Sequence, residues 1–265
     1  RSGELFRQVA REDGCVWNHV ISRSELDALG RAAYRARSMG PGGASFDAMR
    51  WYTLAALTGD CEYARMMDAL VDTRTGRLGL PGDAYALRWR ADQARSEALA
   101  ATVAAWLANP DIRRVGAVRS PGGFPSLPFA GDCGIGTTGD EPLSDQIYST
   151  GWLMLWAWEA YKAGCREARE LVERQGDYLA RIQFASADPR LDGCWMRGFD
   201  FDNWEYYGAP YDPAYGPYSA YTGWMNAIIA RAFALYLRDA DPFLRREASP
   251  EAAALLSVVR AQNPP

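Results

Sequence analysis

One turn pattern occurs twice in this chain. Cys61-Glu62-Tyr63-Ala64-Arg65 and Cys165-Arg166-Glu167-Ala168-Arg169 share the spacing C-x-x-A-R, and each stands just after a segment that ends in glycine, Gly59 and Gly164. Glycine just past a helix supplies the left-handed residue that closes its last turn. The periodicity predicts helices over 45–58 and 61–72, the second capped by Asp60, with Ala64, Met67, Leu70 and Val71 on one face. It predicts another pair over 145–163 and 165–183, with Ala168, Leu171, Val172, Gln175, Tyr178, Leu179 and Ile182 on one stripe. Turns this short fold two helices back into an antiparallel αα-hairpin.

Other segments follow the same grammar. A long Ala-rich helix is expected over 85–107, with Trp106 near its end, and an apolar one over 219–237. Ser149-Thr150-Gly151-Trp152 and Thr222-Gly223-Trp224 open the apolar parts of two of these helices. The helices at 145–163 and 219–237 are apolar nearly all round, as inner helices are, whereas 165–183 is amphipathic, as an outer helix is. The chain therefore reads as all-α, a repeat of helical hairpins of about 50 residues each. The alternative is an ordinary helical bundle in which the repeated turns match by chance. Ser24, with Asp27 three positions on, opens a helix that runs to Ser38 and stops at Gly40-Pro41-Gly42-Gly43. Ser249 and Pro250 open the last one, which ends before Gln262-Asn263-Pro264-Pro265. Residues 115–144, rich in Gly and Pro, read as a long inter-hairpin loop. With no clear boundary elsewhere, 1–265 is expected to be a single domain.

Composition removes several chemistries. Of 29 basic residues, 28 are Arg and one is Lys162, and His19 is the one histidine. Lys162 sits in Ala-Tyr-Lys-Ala, so no phosphate-loop lysine exists. A multi-histidine zinc site cannot be built, and a hydrolytic triad has only His19 to draw on. The five cysteines, Cys15, Cys61, Cys133, Cys165 and Cys194, contain no C-x-x-C. Buried free thiols are the favoured reading, with two disulfides as the alternative. A net charge of -4 without a basic stripe argues against nucleic acid. No apolar run is long enough to span a membrane. The chain begins at Arg1 rather than Met, so it reads as a processed product or a piece of a longer protein in which a lost signal peptide would leave no trace. Chemistry falls to carboxylates, tyrosines and arginines.

Those residue types concentrate in one connector. Residues 192–222 hold ten aromatics, Trp195, Phe199, Phe201, Trp204, Tyr206, Tyr207, Tyr211, Tyr215, Tyr218 and Tyr221, in a chain that is 12% aromatic. Asp192, Asp200, Asp202, Glu205 and Asp212 lie among them. Sugars suit such a surface, because their C–H faces stack on rings while their hydroxyls bond to Asp, Glu, Asn and Arg. The alternative is that the rings merely fasten a long loop to the helices. Asp200, Asp202 and Glu205 also offer oxygen ligands for Ca²⁺, although the EF-hand spacing is absent.

At this point the chain resembles the six-hairpin glycosidases, (α/α) toroids that include glycoside hydrolases, polysaccharide lyases and sugar epimerases. Asp192-Gly193-Cys194-Trp195, Asp202-Asn203-Trp204-Glu205-Tyr206-Tyr207-Gly208 and Tyr218-Ser219-Ala220-Tyr221-Thr222-Gly223-Trp224 carry the likeness, which covers roughly 45–240 at superfamily level. A complete toroid has twelve helices. About eight to ten are legible here by periodicity and caps, so the ring would be incomplete or open. No catalytic pair of a known family maps onto these positions. The resemblance implies a carbohydrate-active enzyme and favours a secreted or periplasmic location over a cytoplasmic one.

A glycoside hydrolase sets two carboxyl groups across the scissile bond, ~5–5.5 Å apart for retention or ~6.5–9.5 Å for inversion. Asp200, Asp202 and Glu205 are the candidates in the aromatic connector. Asp140, Glu141 and Asp145 are those preceding the helix at 145–163, where Asp145 is also expected as an ordinary helix-start acid. Trp195, Arg197, Trp204, Tyr206, Tyr207, Tyr211, Tyr215, Tyr218 and Trp224 are the candidate saccharide contacts. A polysaccharide lyase would instead pair Arg197 with a uronate and use Tyr206, Tyr207 or His19 as base or acid, a tyrosine only with a lowered pKa. A third reading is a hairpin-repeat module that binds a glycan or a protein without turning it over. No cofactor beyond the Ca²⁺ option, and no oligomeric state, is read from the sequence.

Overall fold

A computed structural model describes residues 41–73, 80–118, 143–145, 150–196, 198–207 and 224–243. Helices dominate them: α1 (Pro41–Thr58), α2 (Cys61–Thr73), α3 (Gly82–Trp89), α4 (Gln93–Leu107), α5 (Pro110–Arg114), α6 (Gly151–Ala163), α7 (Ala168–Arg181) and α8 (Trp224–Leu237). Three short strands, β1 (Leu143–Asp145), β2 (Gly198–Asp200) and β3 (Glu205–Tyr207), form one antiparallel sheet in chain order. The chain divides into two compact units, Arg1–Arg95 with Phe243–Pro265, and Ser96–Pro242, so the division falls inside α4. The expected helices at 24–38 and after Ser249 lie outside the described residues.

In the first unit, α1 and α2 form the expected hairpin. Gly59 turns with φ +68°, the Thr58 hydroxyl accepts from the Asp60 amide, and Asp60 caps α2 by accepting from the Glu62 amide at 2.9 Å. Trp51, Met67 and Leu70 are fully buried between the helices. Tyr52, Tyr85 and Phe243 meet edge to face with centroids 5.0 to 5.8 Å apart. The single helix expected over 85–107 is two. Arg90 ends α3 in extended backbone, and Asp92 starts α4 by accepting from the Arg95 amide at 2.8 Å. An acid that caps three residues ahead reopens the helix, and this overrides the Ala-rich pattern.

The second unit is built on α6, which buries Leu153, Met154, Leu155, Trp156, Ala157, Trp158 and Ala160 and packs against both α7 and α8. The nearly all-round burial of α6 and the one-sided burial of α7 match the sequence pattern. Lys162 lies near the end of α6, donates to the Asp239 carbonyl at 2.9 Å and carboxylate at 2.6 Å, and sits over the Trp158 ring at 4.8 Å. The one lysine thus fastens the chain just past the end of α8, where the residue Asp239 itself has φ +50°. Of the helix expected over 145–163, Gly151–Ala163 is α6 and 146–149 lie outside the described residues, while Asp145 is on β1 rather than in a helix. Pairing with β2 supplies backbone partners there, and the Ser144 hydroxyl bonds the Thr150 hydroxyl at 2.6 Å, both fully buried. α5 was not expected. Its signal is Asn109-Pro110, with the Asn109 side chain accepting from the amides of Asp111 and Ile112 and proline at the first helical position.

Candidate functional site

The Asp192-Gly193-Cys194-Trp195 turn explains itself residue by residue. Asp192 accepts from the Ser186 amide at 3.0 Å, Gly193 takes φ +78°, and Phe184 exchanges backbone bonds with Gly193 and Cys194. Trp195 is thereby driven into the core, where its indole N–H donates to the Leu179 carbonyl at 2.7 Å and its ring stacks on Phe233 at 5.8 Å. That carbonyl lies in the last turn of α7, where no helical amide follows to take it. Asn226 on α8 accepts from the Trp195 amide at 2.8 Å and donates to its carbonyl at 3.2 Å. The Asp192–Trp195 turn is therefore clamped to the start of α8, two residues beyond Trp224.

Beyond the turn, β2 and β3 make a hairpin with Asp200 opposite Glu205 and a four-residue loop between them. Asp200, only 7% exposed, organises that loop. One carboxylate oxygen accepts from the amides of Asp202 and Asn203 at 2.9 and 3.0 Å, and the other from the Asn203 side chain at 2.9 Å. At about 1 kcal/mol each, these bonds hold the loop in one shape. The shape ends in Trp204 at φ +59°, a left-handed conformation that costs a bulky residue about 1–2 kcal/mol. Trp204 remains 43% exposed. It is braced by the edges of Phe199 at 5.2 Å and Tyr178 at 6.3 Å, and the Arg181 guanidinium lies 4.9 Å from its ring centre.

The carboxylates of the hairpin differ in their engagements. Asp202 is ion-paired with Arg114, whose guanidinium also lies over the Phe201 ring at 5.2 Å. Glu205 is exposed, and its carboxylate has no hydrogen bond or ion pair among the described residues. Asp200 and Glu205, as directly opposed residues, project toward the same face of the hairpin with Cβ atoms about 4.5–5.5 Å apart. Tyr206 donates to the Ile182 carbonyl and packs against Phe184 and Phe199. Burial pushes its phenol up to about 12, opposite to the lowering that a tyrosine base needs, so the lyase role read for Tyr206 is a poor match.

On its other edge β2 pairs with β1, with Leu143 opposite Asp200 and Asp145 opposite Gly198. The two acid-bearing stretches of sequence are thus brought together at the backbone, and Glu141 lies two residues before Leu143 in the chain. Asp140, Glu141, Arg197, Tyr211, Tyr215, Tyr218 and His19 lie outside the described residues, as do the side chains of Asp145, Tyr207 and Trp224. Trp195 is in the core rather than on a cleft wall. Among the described residues no group of three or more His, Cys, Asp or Glu is arranged to hold a metal ion. Asp200, read as a Ca²⁺ ligand, has both oxygens engaged by the turn. Cys61, Cys165 and Cys194 are free thiols, the last two buried. No described helix is long and apolar enough to cross a membrane.

Three residues at this site were not singled out by sequence: Arg114, Arg181 and Tyr178. Tyr178 reads as one more member of the apolar stripe of α7. The arginines carry no local signal, being two of 28 in the chain. Their position depends on how the stretch after α5 docks on α7. Gly116, at φ +86°, lies so close to α7 that a Cβ there would stand 2.2 Å from the Arg174 carbonyl oxygen. Gln175 donates to the Gly116 carbonyl, Arg174 to that of Arg113 at 3.3 Å and Arg181 to that of Val115 at 3.0 Å.

Fold and site together define a mainly helical protein with a braced aromatic–acidic β-hairpin beside the end of α7. Compared with known proteins, the chain matches no family model, no curated protein and no solved structure.

Proposed function

We propose that this chain is a carbohydrate-active enzyme that hydrolyses a glycosidic bond in a poly- or oligosaccharide, with the hairpin 198–207 as one wall of the saccharide cleft. The helical hairpins would belong to an (α/α) toroid-like repeat, incomplete or open. The observation that carries the reading is Trp204, a large ring held half-exposed in a strained backbone conformation beside a carboxylate, Glu205, that no described residue neutralises. Strain of this kind persists where surrounding contacts over-determine it, and it clusters at ligand-binding positions. A pyranose ring stacks on such an indole, and a neighbouring carboxylate accepts from its hydroxyls or exchanges a proton with the glycosidic oxygen.

Hydrolysis needs a second carboxyl group across the bond. Glu205 is the first assignment because its carboxylate is unencumbered among the described residues, and Asp202 follows if substrate displaces its surface ion pair with Arg114. Asp140 and Glu141 are the partners proposed from the facing segment, since β1 joins β2 at Asp200. One of the two acids protonates the leaving oxygen while the other attacks the anomeric carbon or activates water. Glu205→Gln, Asp202→Asn, Asp140→Asn and Glu141→Gln, assayed for reducing-end release across a glycan panel, test this. Loss of turnover with retained binding in Glu205→Gln and in one facing variant is expected. Full turnover in all four variants would overturn the assignment.

A second reading has its own observation. Asp200 and Asp202 are both occupied in holding the hairpin, as expected of a rigid stacking platform that binds glycan without cleaving it. A glycan that binds in a Trp204-dependent way, with no product from any member of the panel, identifies this module.

A further inference from the structure

Arg181 lies on the ring that the saccharide reading uses, so what it does to a ligand follows from its own contacts. Its guanidinium sits 4.9 Å from the Trp204 centroid. Its Nε pairs with Asp177 at 3.0 Å, and one terminal nitrogen donates to the Val115 carbonyl at 3.0 Å. The other terminal nitrogen has no partner among the described residues. Arg181 and Asp177 are both substantially exposed, so their ion pair is readily exchanged.

A neutral sugar that stacks on the indole face under the Arg181 guanidinium must move that group off the ring and gains no ionic bond in return. A sugar bearing a carboxylate can instead take the free edge of the guanidinium, in the planar two-point geometry that arginine offers and lysine does not. At the first residue of the same four-residue loop, Arg114 lies over the ring of the buried Phe201. The nearby acids do not cancel this. Asp177 pairs with Arg181, Asp202 and Asp111 lie against Arg114, and both Asp200 oxygens are taken up by the loop, which leaves Glu205 as the one hairpin carboxylate without a described partner.

We propose that Arg181 is the specificity-determining residue of the Trp204 surface and that it selects an anionic, uronate-containing saccharide over its neutral counterpart. This rests on the saccharide reading of the hairpin and goes beyond it by naming the substrate class. The test is calorimetric binding of oligogalacturonate, oligoglucuronate and oligomannuronate, each as the free acid and as the methyl ester, with a sulfated neutral oligosaccharide as a further probe. The full chain is compared with Arg181→Ala, Arg181→Lys and Trp204→Ala.

For the matching sugar, the free acid should bind on the order of tenfold more tightly than the ester. Arg181→Ala should remove that preference and leave ester binding equal or up to roughly twofold stronger, because the ring is uncovered. Arg181→Lys, which keeps the charge but not the fork, should fall between, and Trp204→Ala should weaken both forms. Ester binding as tight as acid binding in the full chain, or an acid preference that survives Arg181→Ala, overturns the role of Arg181 while the saccharide reading stands. Preference for the sulfated probe over every uronate overturns the carboxylate assignment. Absence of binding by any member, or binding indifferent to Trp204→Ala, overturns the saccharide reading and this inference with it.

Discussion

Replacing Gly116 by alanine should damage this protein far more than replacing Gly164, although both glycines have positive φ. At Gly164, φ is +121° and no atom lies within 4 Å of an added Cβ, so only conformational strain of about 1–2 kcal/mol applies. At Gly116 the same strain is joined by contacts of 2.2 Å to the Arg174 carbonyl oxygen and 3.0 Å to the Tyr178 Cβ. Both are fixed by α7, so the loop must move away from the helix. That movement breaks the bonds to the carbonyls of Arg113, Val115 and Gly116, worth about 1 kcal/mol each. The expected loss is about 3–5 kcal/mol, a large fraction of the ~5–15 kcal/mol by which a domain is stable. Urea unfolding followed by tryptophan fluorescence, with Gly164→Ala as the reference, reads the difference. If Gly116→Ala unfolds at the same urea concentration as Gly164→Ala, the close approach of loop and helix is wrong, and so is the placement of Arg181 and Arg114 that depends on it.

Tyr206 gives the fold an alkaline limit. Its folded-state phenol is pushed above the ordinary value of 10.0 to about 12, so this contribution is intact below pH 10 and fades as pH rises toward 12. Tyr206→Phe should show a shallower loss of stability across that window in a pH series of melts. Burial likewise raises the Cys165 thiol to about 11, whereas Cys61 is exposed. Iodoacetamide at pH 8 on the native protein should therefore label Cys61 well before Cys165, and peptide mapping showing the reverse order would contradict the burial. Asp200→Ala removes three hydrogen bonds and should cost about 2–3 kcal/mol, whereas Asp200→Asn, which keeps an oxygen facing both backbone amides and loses only the bond from the Asn203 side chain, should cost about 1 kcal/mol. Equal melting temperatures for the two variants would deny Asp200 its turn-holding role.

Much of the helical framework was legible because each helix announces itself locally. Gly59-Asp60 and Gly164 mark the hairpin turns, and the stripe on α7 fixes its buried face. The break between α3 and α4 was equally local, and Asp92 signals it, but the Ala-rich run on either side masks a capping acid. What escaped was the sheet. Three-residue strands carry no readable alternation, and β1 pairs with β2 across more than fifty residues of chain, a contact no local pattern encodes. The aromatic connector was legible as a feature but not in its division of labour. Trp195 and Trp204 look alike in sequence, yet Gly193 turns one into the core and the Asp200-held loop turns the other outward. Arg181 and Arg114 were illegible because their role comes from the docking of α5 and its following loop on α7.

The most direct test of the central claim, that Trp204 and Glu205 form part of a saccharide site, is a paired measurement of glycan binding and turnover in Trp204→Ala and Glu205→Gln against the unaltered chain. The account predicts that Trp204→Ala lowers affinity at least tenfold, as loss of a stacking platform of about 1.4 kcal/mol or more does, and that Glu205→Gln binds normally but turns over little. Unchanged affinity in Trp204→Ala, with the fold intact by circular dichroism, would contradict it.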